Sequence, residues 1–94
     1  MNINDMKIEN HYSALERVRE INKGLKSQIE EVDTSPERPS KDASIDVQGL
    51  MIDLEVIEDM LCDSEFPYIH SESWEREAED VQSEICKLYN IKPV

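Results

Sequence analysis

The side chains of this 94-residue sequence best suited to bind a soft metal ion or attack as nucleophiles are Cys62, His70 and Cys86. Zinc sites are usually built on close pairs such as Cys-x-x-Cys or His-x-x-x-His, because neighbouring ligands close the coordination shell cheaply. Neither pair occurs here. A nucleophilic thiol needs a cation or an imidazolium to stabilise the thiolate, and Cys62 stands among carboxylates instead. Cys62 closes an apolar segment and Cys86 adjoins apolar positions, where a cysteine acts as a small hydrophobe. The carboxylate runs lack the alternating oxygen ligands and central glycine of a calcium loop, and read as a solvated face. No catalytic residue, metal ligand or cofactor site is expected.

A second constellation suits anions. Arg19 and Lys23 are four residues apart and Lys23 and Lys26 three apart, so all three share one surface of a helix, with Tyr12 upstream on a nearby face. A ring for stacking and cations for phosphate are what a small nucleotide requires. Ser40, Lys41 and Ser44, near the start of the next apolar segment, add donors beside a helix N-terminus. The simpler reading is that these bases balance Glu16, Glu20, Glu30 and Glu31 in exposed intrahelical pairs of ~0.2–0.5 kcal/mol each.

The elements that position these residues follow from periodicity. Ile8, Leu15, Val18, Leu25, Ile29 and Val32 recur at helical spacing and predict a helix over about 5–32, with His11 and Asn22 as polar, structural residues in its seam. Pro36 and Pro39 lie in a polar stretch that predicts a loop over 33–43. Ser44 reads as the N-cap of a second helix over 45–62, carrying Val47, Leu50, Leu54, Ile57 and Leu61. Met51, Ile52, Val56 and Met60 widen that apolar arc, which calls for two neighbours rather than one. After Pro67, the row Trp74, Ala78, Val81, Ile85 and Leu88 predicts a third helix over 72–90. Glycine-rich phosphate loops, repeats and strand-like alternation are missing from the sequence. The fold class is therefore all-α: a helical hairpin plus a third helix, one small bundle spanning 1–94. A chain this short buries only ~60–65% of its unfolded surface, which favours a homo-oligomer.

Charge divides the chain in two. Residues 1–41 hold seven basic and eight acidic residues, and 42–94 hold three and fourteen, giving the formal net charge of −12. The acidic half would be repelled by DNA, RNA and anionic membranes and drawn to basic protein surfaces. Asp53, Glu55, Glu58 and Asp59 form the candidate acidic face. Two distant cysteines, no secretory leader and no apolar run approaching the ~20 residues of a membrane span predict a cytoplasmic protein.

From Val18 to Leu61 the sequence also resembles a known family. The stretch Val18-Arg19-Glu20-x-x-Lys23-x-Leu25-x-x-x-Ile29-x-Glu31, followed by Pro39-Ser40-Lys41-Asp42-x-Ser44-Ile45-x-Val47-x-x-Leu50, is similar to the helical hairpin of phage-encoded cyclic-nucleotide sponges, the anti-CBASS and some anti-Thoeris proteins. That family has an Arg-Glu pair where Lys41 and Asp42 stand here. The resemblance implies a non-catalytic oligomer, acting in an infected bacterial cell, that buries an immune signalling nucleotide between protomers. It would make Arg19, Ser40, Lys41 and Ser44 the phosphate or base contacts. The alternative is an acidic helical inhibitor, of the anti-restriction or anti-CRISPR type, that binds a basic host protein as a nucleic-acid mimic.

Overall fold

The computed structural model describes residues 3–37, 39–63, 65 and 67–94, with backbone alone for 3–8. Arg38 and the side chain of Ile8 lie outside the described residues. Three helices account for most of the chain: α1 (Ile3–Asp33), α2 (Lys41–Cys62) and α3 (Ser71–Tyr89), the last entered through a short 3-10 turn, Tyr68–His70. No strand occurs among the described residues, and every helix packs on the other two. The fold is the expected hairpin plus a third helix, drawn out to 53 × 19 × 16 Å.

The core is built from one row on each helix: Leu15, Val18, Ile21 and Leu25 from α1, Val47, Leu54, Ile57 and Leu61 from α2, Ala78, Val81, Ile85 and Tyr89 from α3. Fully burying a side chain of this size stabilises by ~1.5–3 kcal/mol. The α1 row differs from the periodicity reading at one place. Ile21 is completely buried while its neighbour Asn22 sits at the rim, because α1 faces α3 as well as α2 and its apolar arc turns between them.

Each helix end has an identifiable cause. Thr34 closes α1 by donating its hydroxyl to the Glu30 carbonyl at 2.8 Å, and Pro36 and Pro39 bar any continuation. Helix α2 starts one turn earlier than expected. Its N-cap is Ser40, whose hydroxyl accepts from the Ala43 N–H at 3.2 Å, and Ser44 lies inside the helix. Ser40 offers the same capping chemistry as Ser44, no helix breaker stands between them, and Asp42 in the first turn suits the positive end of the dipole. Helix α3 ends at Asn90, which takes the left-handed conformation (φ 52°, ψ 48°) and lets the Ile91 N–H bond the Cys86 carbonyl.

Two further departures concern the last helix. Leu88, expected in the core, is 38% exposed, and Tyr89 takes the core position at 7%. The row steps by four residues after Ile85, which places the Tyr89 ring between the helices and brings its hydroxyl to Asp33 Oδ1 at 3.1 Å. Beyond it, residues 91–94 fold back along α1. The Val94 N–H donates to Gln82 Oε1 at 2.8 Å, Arg17 donates to the Val94 carbonyl at 2.9 Å, and Gln28 donates to the Lys92 carbonyl at 2.9 Å. Gly24 makes room, since a Cβ there would sit 2.5 Å from Val94 Cγ2. At the far end of the bundle, buried His11 shares a 2.7 Å hydrogen bond with buried Ser71 and lies 4.5 Å from the Tyr68 ring, tying α1 to the start of α3.

Candidate functional site: two grooves of opposite character

The antiparallel hairpin decides which candidate residues meet. Arg19, Lys23 and Lys26 do converge, lining an open groove of about 390 Å³ between α1 and α2. The opposite wall is Glu55 and Glu58. Arg19 donates to Cys62 Sγ at 3.3 Å, and Asn22 donates to Glu58 Oε1 at 2.8 Å and to the Leu54 carbonyl at 3.4 Å. Asn22 Oδ1 is buried without a hydrogen-bond partner among the described residues. Three cations against two carboxylates leave this groove close to neutral, which weakens its pull on a phosphate.

The remaining anion-binding candidates are elsewhere. Tyr12 is 61% exposed and stands two turns before Arg19, its ring edge-on to His11 at 5.7 Å. Lys41 and Ser44 line a separate depression with Asp33 and Pro39. The Ser40 hydroxyl is spent on the cap, and Ser44 lies near enough to the Tyr89 hydroxyl to act on its pKa. Because α2 is 22 residues long, its ends are about 30 Å apart. Arg19 lies at the Cys62 end and Ser40, Lys41 and Ser44 at the other, so a single nucleotide cannot touch Arg19 and those three within one protomer.

The four residues of the acidic face also divide. Asp53 points to the α3 side of α2, Glu55 and Glu58 to the α1 side, and Asp59 is exposed. The α2–α3 side holds the arrangement that the sequence reading missed. One hollow of about 520 Å³ is lined by Ile45, Asp46, Gly49, Leu50, Asp53, Glu84 and Leu88. A second, of about 290 Å³, is lined by Asp53, Val56, Ile57, Trp74, Glu77 and Val81. Asp53 belongs to both, so they form one furrow between the helices. Among the described residues neither hollow is lined by Lys or Arg. Ile45 and Val56, which line the furrow, remain 56% and 48% exposed, and Ile52, outside its lining, is 59% exposed. The wide apolar arc of α2 called for two neighbours, and it has them in α1 and α3, yet Ile52 and Val56 stay exposed. Leu88, on the apolar row read for the third helix, lines the furrow instead of the core, and Trp74 both packs against the core and lines the furrow.

The two thiols differ in their surroundings: Cys62, expected among carboxylates alone, is exposed and accepts from the Arg19 guanidinium at 3.3 Å, whereas Cys86 has only burial around it. Burial pushes the Cys86 thiol above its ordinary pKa, which disfavours the thiolate. Burial likewise raises the Tyr89 phenol, the Asp33 carboxylate adding to the effect and the Ser44 hydroxyl opposing it. Among the described residues, no three His, Cys, Asp or Glu side chains are placed to share a metal ion, and no helix is long and apolar enough to cross a membrane. Comparison with protein-family models, curated proteins and solved structures finds no match for this chain.

Proposed function

We propose that this chain is a non-catalytic binding protein: an acidic helical inhibitor that occupies a basic surface of another protein, in competition with nucleic acid. The observation that carries this reading is the α2–α3 side, where exposed Ile45, Val56 and Leu88 lie among Asp46, Asp53, Glu77 and Glu84 with no basic side chain among the described residues lining the furrow. Exposed apolar groups beside one sign of charge suit a protein partner of the other sign. The carboxylates steer the encounter, and the apolar groups supply the buried centre that a charge-only mimic lacks.

The test is capture from host lysate at low salt on the immobilised full chain, compared with an Asp53→Lys, Glu77→Lys, Glu84→Lys variant. Basic partners that are released by duplex DNA or by raised salt, and that the variant fails to retain, support the proposal. Equal capture by the variant rejects it.

A second reading, the nucleotide sponge, draws support from the convergence of Arg19, Lys23 and Lys26 on one groove. Since Lys41 and Ser44 lie about 30 Å from Arg19 along α2, a nucleotide touching all three would have to be held between two protomers. Calorimetric titration with cyclic di- and trinucleotides decides it. Tight binding that disappears in Arg19→Ala and survives the acidic-face variant would move the function to the sponge.

A further inference from the structure

The furrow between α2 and α3 has a shape and a charge that together specify its occupant. We infer that it is a docking groove for a basic amphipathic α-helix of a partner protein. This rests on reading the acidic side as a surface for a basic protein and goes further by naming the structural form of what binds.

Length supplies the first argument. From Ile45 to Val56 the furrow follows α2 through twelve residues, a rise of about 16 Å or three helical turns. Its apolar points, Ile45 and Val56 from α2 and Leu88 and Trp74 from α3, stand on both sides of that line. An incoming helix presenting apolar residues at i, i+4, i+7 and i+11 meets such points in register. An extended peptide gains less, because it relies on backbone pairing and helix walls have already spent their N–H and C=O groups internally. Gly49 lies mid-furrow with open space where a side chain would be, so the partner's backbone can approach α2 closely there.

Charge supplies the second argument. Asp46 and Asp53 stand on the α2 wall, Glu77 and Glu84 on the α3 wall. An apolar stripe flanked on both sides by Lys or Arg would face carboxylates on both walls. A second copy of this chain docking furrow to furrow would oppose eight carboxylates at short range, and nucleic acid is repelled outright. The occupant that fits is a separate, basic chain.

The probe is a sixteen-residue synthetic peptide, tryptophan-free, with leucines at helical spacing and lysines and arginines on the flanks. Its control is a scrambled peptide of the same composition. Trp74, the chain's one tryptophan, lines the furrow and reports occupancy through its emission. The plugged variant is Gly49→Leu, whose side chain enters open space on a helix and therefore leaves the fold intact. The groove predicts at least tenfold tighter binding of the amphipathic peptide than of the scramble, a blue shift of Trp74 emission on binding, and loss of both in Gly49→Leu. Equal binding of the two peptides without a Trp74 change would overturn the helical groove and leave the basic-partner reading standing. No binding of either at low salt would remove both. Sedimentation is run in parallel, and self-association that Gly49→Leu abolishes would assign the furrow to a second copy and overturn the proposal.

Discussion

The two glycines of this chain are both interior helix residues, and they separate backbone preference from packing. Glycine in a helix costs ~1 kcal/mol relative to alanine, so Gly→Ala carries the same intrinsic gain at either position. At Gly49 nothing lies within 4 Å of the new Cβ, whereas at Gly24 it meets Val94 Cγ2 at 2.5 Å and Cγ1 at 2.8 Å. Relieving that overlap pushes the 91–94 segment off α1 and strains its bonds to Gln82 and Arg17. Gly49→Ala should therefore raise stability by ~1 kcal/mol, and Gly24→Ala should fall below it by ~1–3 kcal/mol. Urea unfolding of both variants measures the difference directly. Equal shifts would mean that the tail is not seated on Gly24.

Helix boundaries carry the next prediction. With Ser40 as the N-cap of α2, Ser40→Ala removes the acceptor for the Ala43 N–H and should cost ~1 kcal/mol. Ser44→Ala removes no capping bond, because Ser44 lies inside the helix, and gains alanine's helix propensity, so it should be close to neutral. Thermal unfolding that ranks Ser44→Ala as the costlier change would return the cap to Ser44. The same segment shows what was legible in sequence. Three helices could be read from spacing because apolar burial imposes the 3.6 period, and both Ser40 and Ser44 satisfied the capping rule, leaving the choice between them to tertiary context. Tyr89 was missed because its placement depends on Asp33, 56 residues away, which no local pattern encodes. For the candidate site, the cluster of Arg19, Lys23 and Lys26 was visible as helical spacing. Their separation from Lys41 was not, since it follows from the antiparallel pairing of α1 with α2. The furrow was half visible. The width of α2's apolar arc called for two neighbours, which α1 and α3 supply, while the exposure of Ile45 and Val56 and the carboxylates that α3 contributes appear only once the helices are packed.

Over the whole molecule, Arg19, Lys23 and Lys26 gather on one groove, and the α2–α3 furrow is lined by carboxylates without a basic residue among the described residues. The basic residues of α1 meet Glu55 and Glu58 across one groove, and Arg17 is shared between Glu20 at 3.5 Å and Glu79 at 3.3 Å. Exposed pairs of this kind contribute little to stability. A chain at −12 is thus strained by self-repulsion before any further proton leaves. Tyr89 adds a proton-linked term to this. Its pKa is raised in the folded state, first by burial and then by Asp33, so the folded protein holds that proton more tightly than the unfolded chain does. Stability from this group is fully present below the unfolded tyrosine value of ~10 and is lost as pH rises through the higher folded value. Cys86, raised by burial, acts in the same direction from somewhat lower pH. Melting temperature should therefore fall steeply above about pH 9. In Tyr89→Phe, which costs ~0.5–1.5 kcal/mol at pH 7 through the lost Asp33 bond, the fall should be shallower. Melting curves from pH 7 to 11 for the two proteins test this. Parallel profiles would show that the alkaline loss arises from general charge repulsion and that the Tyr89 ring is not held between the helices as the structure places it.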